Sequence, residues 1–338
     1  MPEGQCSGPL RSIDLSEYRT GKEKNMLKQI KDRIISLIII LIGLSILTYG
    51  LTYLLPSNPV DILIESLGMT HDPETVEKLN KQYGYDKPFW EQYWNWLKGV
   101  FHGEFGYSVK YNQPVSEALW RKLPNTIKLA CSAFSMTILI SFPLGILSAV
   151  YKNKIADYII RFMSFIGVSI PSFWLGLILI YLLAVKLGIL PVSGFSSWKG
   201  IIMPTITLGV TNAAYYIRRI RAVMVEQLNE EYISGLKSRG VSKARIIFLH
   251  VLPNSLLAVI TMLGMSFGGL LGGTMIVETI FGWNGIGSAA MGAIPARDYP
   301  LIQGYVLWMG FIYVIVNLLV DISYQFIDPR IRRGMEQK

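Results

Sequence analysis

Charge is scarce in this chain: only 16% of its 338 residues are Asp, Glu, Lys or Arg, whereas 51% are hydrophobic and the mean hydropathy is +0.38. That balance excludes an ordinary aqueous core and makes lipid the expected solvent for most of the polypeptide. Cysteine is scarcer still. Cys6 lies in a polar tail and Cys131 in an apolar run, without metal-ligand spacing or a shared disulfide geometry, so both are expected to be free thiols. His71, His102 and His250 are scattered and have no neighbouring cysteines, which removes the pattern a metal site needs. The phosphate-cradling G-x-x-x-x-G-K-[ST] loop is absent, and the nearest fragment, Gly21-Lys22-Glu23, follows no strand. No catalytic, metal or cofactor chemistry is therefore expected here. No cleavable signal peptide is expected either, because the first apolar run starts at Ile34, is too long for such a segment and has no small-residue cleavage site after it.

What is present is a series of long apolar runs. A helix needs about 20 predominantly apolar residues to cross a hydrocarbon core of about 30 Å. Six runs qualify: Ile34 to Leu55, Leu129 to Val150 with Pro143 inside it, Ile155 to Leu187, Ile201 to Ile217, Asn254 to Phe281 and Leu301 to Ile327. In the third, Pro171 predicts a kink or an interfacial extension. The fourth is the weakest, because it is short and contains Pro204, Thr205, Thr207, Thr211 and Asn212. Cation placement supports it. Lys and Arg accumulate before run one (Arg19 to Arg33), between two and three (Lys152, Lys154), after four (Arg218 to Arg245) and after six (Arg330, Arg332, Arg333), whereas the alternate connections are poor in cations for their length, with Lys199 between three and four and Arg297 between five and six. Such cations mark the cytoplasmic side, so a net charge of +9 and a pI near 9.4 report topology and not nucleic-acid binding.

The expected fold is an all-α integral membrane protein of the plasma or inner membrane, with six transmembrane helices and both termini cytoplasmic. Residues 1–25 form a hydrophilic tail with no recognisable element, and Met26 is an alternative start. Residues 26–55 supply the basic flank and first helix, 56–125 an extracytoplasmic segment, 126–327 the remaining five helices, and 328–338 a cytoplasmic tail. In the outer segment, Trp90, Trp94, Trp96 and Trp120 point to the membrane surface or a docking partner, and 87–100 has helical character.

Ion-coupled carriers hold ionisable groups at the bilayer midplane. Here Lys128, Asp157, Lys186, Glu278 and Asp321 fall toward span ends, where interfacial water makes a charge cheap, so the energy source is expected on another polypeptide. Gly264, Gly268 and Gly272 recur every fourth residue, with Gly269 and Gly273 beside them. This flat stripe is expected to serve helix packing first and pore lining second.

Residues 224–254 are too polar to span and too patterned for a slack loop. Asn229 is expected to cap a first helix in which Glu230 and Glu231 oppose the dipole and Tyr232, Ile233 and Leu236 form an apolar face. Gly240 stops it. Ser242 caps a second, with Ile246, Ile247, Leu249 and Leu252, ending at Pro253. Such an exposed amphipathic hairpin needs a partner.

In this hairpin Glu231, Tyr232, Ile233, Gly240, Ile246, His250, Leu252 and Asn254 resemble the cytoplasmic motif of permease subunits of ABC importers for peptides and nickel, within the binding-protein-dependent permeases. Further stretches agree: Tyr83-Gly84-Tyr85-Asp86 with Pro88, Gly103 to Ser108, Pro114-Val115, Leu123-Pro124-Asn125-Thr126, Ser169 to Trp174, then Glu278, Phe281, Trp283, Gly285, Gly287, Arg297-Asp298-Tyr299-Pro300 and Asp328 to Arg332. Leu236 and Ser238 stand where the family has alanine. Asn284 replaces the proline of the tryptophan-glycine turn and leaves it without that source of rigidity. The resemblance implies a second permease, two cytoplasmic ATPase subunits that carry ATP and Mg, and an external solute-binding protein. It also implies that the hairpin docks in a groove of the ATPase. Nickel, a metal chelate, dipeptides and oligopeptides are all open as solutes, and Gly272 to Glu278 leans slightly to nickel. A membrane scaffold with a partner-docking hairpin, and less readily an ion-coupled secondary carrier, are the competing classes.

Overall fold

A computed structural model describes residues 15–54, 59–66, 68, 71–194 and 198–327. The tail 1–14, Cys6, Pro56 and the 328–332 motif lie outside them, as do the side chains of the basic flank except Lys31 and that of Asp321.

The described chain is almost wholly helical. Helix α1 (Leu15–Tyr53) is followed by α2 (Pro59–Ser66), α3 (Pro73–Tyr83) and α4 (Phe89–Phe101). A two-residue antiparallel ladder then pairs Tyr107–Ser108 with Gln113–Pro114. Next come α5 (Val115–Val150), α6 (Ile155–Ser169), α7 (Ser172–Leu179), a π-helical turn (Ile180–Lys186), α8 (Ile202–Leu228), α9 (Glu231–Ser238) and α10 (Lys243–Ile246). A second π-helical turn (Ile247–Val251) leads into α11 (Leu252–Ile280), before α12 (Ile286–Ala293) and α13 (Tyr299–Ile327).

Among the described residues, four helices are long and apolar enough to cross a membrane: Ile34–Tyr53 of α1, α5, Ala258–Ile280 of α11 and Tyr299–Val320 of α13. A fifth crossing exists if Ile155–Ser169 and Ser172–Lys186 count as one span, although they meet at 97°. Pro171 is the cause of that break: it starts α7 at φ −59° and ψ 137° and cannot continue the hydrogen-bond ladder of α6. The sixth expected span, in α8, does not pass on hydropathy. Its residues explain why. Met203, Thr207, Leu208, Ala213, Ile217 and Ile220 are buried against protein, since α5, α6, α7 and α11 all pack around α8. A helix wrapped by other helices has no need of a lipid-facing surface. Its polar side chains close on their own backbone: Thr207 donates to Met203 O at 2.9 Å and Asn212 to Leu208 O at 2.8 Å. Where α5 and α8 touch, Gly145 leaves room for Ile220, which would lie 2.7 Å from an added Cβ.

Three expected boundaries move. Helical backbone reaches back to Leu15, into the tail expected to begin no element. Helix α5 starts at Val115 and runs through Pro124, so the segment expected to end at residue 125 gives its last residues to the bundle. The hairpin's second helix does not stop at Pro253, as described below. The helical character of 87–100 is met by α4. That helix packs on α1 through the Tyr93 hydroxyl, 2.8 Å from Ser45 Oγ, and the Tyr49 and Trp96 rings 5.2 Å apart, while Trp90 and Trp94 stay exposed.

Candidate functional site

At one end of the bundle α8 turns through Asn229 and Glu230 into α9. Asn229 closes α8, its N–H directed at the Gln227 and Glu226 carbonyls, and Glu230 occupies the cap position of α9 without a side-chain bond. The expected Asn229 cap is thus displaced by one residue, because α8 extends far enough to use Asn229 as its own end. Ile233 is 1% exposed and sits in a core with Met224, Ile246, Ile247 and Val251, against which Leu236, Val241 and Leu252 also pack. The hairpin is therefore welded to the membrane helices and is no tethered loop. Gly240 ends α9 at φ +73°, a left-handed conformation that disfavours side chains, and its N–H reaches Lys237 O at 3.0 Å. Asn254 donates to the Tyr232 hydroxyl at 3.3 Å, so these two predicted residues meet across the hairpin. Glu231 and Gly240 are exposed, and His250 is half-buried on the π-helical turn.

Backbone from Lys243 to Ile280 is helical without interruption. In a regular α-helix the Pro253 ring would strike the Leu249 carbonyl four residues back. The π-helical turn Ile247–Val251 widens the ladder at that point, and the chain passes through Pro253 with Val251 and Leu252 in right-handed helical conformation. The result is one rod on the order of 55 Å long at about 1.5 Å per residue. It carries the hairpin at one end and the glycine stripe in the middle.

A charged pair fixes the same end of the bundle. Arg221 of α8 grips Asp157 of α6 with two bonds of 2.7 Å, while Ser148 of α5 donates at 2.6 Å and Asn153 N at 2.9 Å. Asp157 is fully buried, not the water-exposed span-end charge expected from sequence. Four hydrogen bonds, from three residues on two other helices and a turn, compensate its desolvation.

Glu278 corrects the same expectation at the opposite end. It is also fully buried, and accepts from Thr126 Oγ1 at 2.7 Å and Ser288 N at 2.9 Å. Thr126 in turn accepts from Ile286 N at 2.9 Å. Gly285 and Gly287 are needed here, because an added Cβ would come within 2.4 Å of the Glu278 carboxylate or 2.6 Å of Met275 Cα. The Trp283 indole donates to Asn125 O at 2.9 Å. Asn284 is held from both sides: its carbonyl accepts from Asn125 Nδ2 at 2.9 Å and its side chain from Lys122. The rigidity missing with the proline returns through these bonds. Asp298 is buried beside this cluster, accepting from Ser108 Oγ at 2.5 Å and from Leu301 N at 3.2 Å at the start of α13. Next to it, burial and then the Asp298 charge push the Tyr111 hydroxyl above its ordinary pKa. Stretches far apart in sequence thus form two hydrogen-bonded groups, Asn125-Thr126 with Glu278 to Ser288 and Ser108 with Asp298, which α12 connects because Asp298 N donates to Ala293 O at 3.0 Å.

The glycine stripe divides. A Cβ on Gly264 would meet Val320 at 2.5 Å and one on Gly268 would meet Tyr313 at 2.9 Å, so these two receive α13. Gly269, Gly272 and Gly273 have nothing within 4 Å. Sequence reasoning missed the Asp157–Arg221 clamp, for which the basic run Arg218 to Arg221, inside α8, was a signal, and Phe248, which with Leu249 is 60% exposed on the π-helical turn.

A helical bundle with several membrane-length helices and a hairpin fused to its core is the architecture of an integral membrane protein. Residues 141–333 match the family described as "Binding-protein-dependent transport system inner membrane component", and residues 26–130 match its N-terminal membrane component. The chain belongs to this family. It is 34% identical over 334 residues to a probable D,D-dipeptide transport system permease protein of Escherichia coli (strain K12), covering 90% of this chain and 97% of that one. It is 35% identical over 335 residues to a dipeptide transport system permease protein of Alkalihalophilus pseudofirmus, covering 91% and 100%. A glutathione transport system permease protein of Escherichia coli (strain K12) is 33% identical over 307 residues, covering 91% and 99%. The fold is similar to that in a crystal structure of an amino acid ABC transporter with histidines, at TM-score 0.51 and 19% identity over 66% of this chain and 96% of that one.

Proposed function

We propose that this chain is one of two permease subunits of an ATP-driven importer for dipeptides or similar short peptides, delivered by an external binding protein and powered by two ATPase subunits on the cytoplasmic side. The relatives named above carry dipeptide and glutathione transport in their names. The sequence lean toward nickel finds no support among them, and peptides are the solutes adopted. Six crossings, with α8 as the fourth, put the α9–α10 hairpin and both termini in the cytoplasm and the Glu278–Asp298 region outside, in agreement with the cation distribution.

The observation that carries the mechanism is the fused hairpin. Ile233 and Ile246 anchor it, Tyr232, Gly235, Phe248 and Leu249 remain at the surface, and its second arm continues as α11. A force on the hairpin from closing ATPases would be delivered along the rod to the open glycines 269, 272 and 273, where a second permease faces the solute path, and on to Glu278. Transport is then a switch between two bundle arrangements biased by nucleotide and by the loaded binding protein. ATP and Mg reside on the ATPases.

Gly240→Pro tests this reading. Proline fixes φ near −65° where +73° is required and removes the donor to Lys237. The expected result is normal membrane insertion with loss of peptide uptake and of ATPase stimulation by loaded binding protein. A normal uptake rate contradicts the reading, and an ATPase that co-purifies but is never stimulated favours the scaffold alternative.

A further inference from the structure

On the flank of the bundle formed by α6 and α8 lies a cleft of about 440 Å³ lined by Tyr158, Arg161, Phe162, Phe165, Arg218 and Arg221. Arg221 is committed to Asp157. Arg161 and Arg218 are exposed, and neither has a carboxylate partner among the described residues. The Arg161 guanidinium lies 5.7 Å from the centre of the Tyr158 ring. Arg161 stands one turn beyond Asp157 on α6, and Arg218 one turn before Arg221 on the antiparallel α8. The backbone positions of the two residues therefore share a level about 5 Å past the ion pair, toward the bilayer interior, and both side chains line the cleft. Phe162 and Phe165, each 63% exposed, continue the same face.

Two guanidiniums without a carboxylate partner among the described residues line one cleft bordered by exposed aromatic rings, which complements the two-part chemistry of a lipid: anionic phosphate at the arginines and acyl chain along the phenylalanines. We propose that this cleft binds the headgroup of an anionic phospholipid of the leaflet at the hairpin end. Free phosphate satisfies the arginines equally well, but it leaves the apolar border exposed. The site needs the bundle to lie in a membrane and does not depend on ATPase docking, so it can fail while the transport reading stands.

Native mass spectrometry of the full-length chain in a neutral detergent, titrated with phosphatidylglycerol or phosphatidylcholine, tests it. Wild type is expected to prefer phosphatidylglycerol by about tenfold, equivalent to about 1.4 kcal/mol. Arg161→Ala with Arg218→Ala abolishes the preference, while Lys152→Ala with Lys154→Ala, exposed cations of the neighbouring turn, preserves it; millimolar inorganic phosphate does not displace the lipid. Equal binding of both lipids by wild type overturns the proposal without any variant. So does a preference that survives the arginine substitutions, displacement by inorganic phosphate, or a photoreactive residue at Phe165 that crosslinks in cells to a protein instead of lipid.

Discussion

Asp157 shows how one residue can hold three segments at once, since its carboxylate joins α6 to α8 through Arg221, to α5 through Ser148 and to the intervening turn through Asn153. Removing either charge leaves the other desolvated and alone. Asp157→Ala or Arg221→Ala is expected to cost about 3 kcal/mol, whereas the double substitution costs less than the sum of the two. Thermal denaturation of the detergent-solubilised variants measures this, and strictly additive losses would show that the pair is not coupled. Sequence located Asp157 and Glu278 near helix ends but not their burial. Hydropathy registers a residue's neighbours along the chain, while Thr126 and Arg221, which make these charges tolerable, lie far away in sequence. The Asn284 substitution was likewise visible, but its Lys122 and Asn125 partners were not.

Elements were more legible than contacts. The apolar runs announced α1, α5, α11 and α13, Gly240 marked the end of α9, and Pro171 marked the break between α6 and α7. Pro253 misled, because a π-helical turn absorbs its ring and keeps α10 and α11 in one rod, a solution that local propensity does not reveal. Helix α8 was nearly lost for the opposite reason: its surroundings are other helices, so its composition carries little lipid signal. The divided glycine stripe gives a contrast within one element. Gly264→Ala forces a methyl into Val320 and is expected to destabilise by about 1–3 kcal/mol. Gly272→Ala enters open space and gains helix propensity, so its expected effect is neutral to stabilising by no more than about 1 kcal/mol. Equal losses at the two sites, read from unfolding midpoints of the isolated chain, would contradict this division.

For the molecule as a whole, topology and mechanism depend on one another. If the hairpin faces the cell interior, Lys237→Cys and Lys243→Cys are expected to resist a membrane-impermeant thiol reagent in intact cells and to react once the membrane is opened; labelling from outside intact cells would reverse the topology. Both fixed ends of the bundle, the Asp157 clamp and the Glu278–Asp298 region, are then joined by the α10–α11 rod, and the exposed face around Gly235, with Tyr232, Phe248 and Leu249, is the proposed purchase for an external motor. The most direct test is ATP-driven accumulation of a labelled dipeptide in proteoliposomes. They would hold this chain, its partner permease and the ATPases, with binding protein outside, and wild type would be compared with Gly235→Trp, at an exposed position where an added Cβ meets nothing within 4 Å. The predicted result is accumulation by wild type and a loss of at least about tenfold in the variant, or about 1.4 kcal/mol of coupling, at an unchanged unfolding midpoint. Undiminished uptake by Gly235→Trp, or no ATP-dependent peptide uptake by the wild-type assembly, would contradict it.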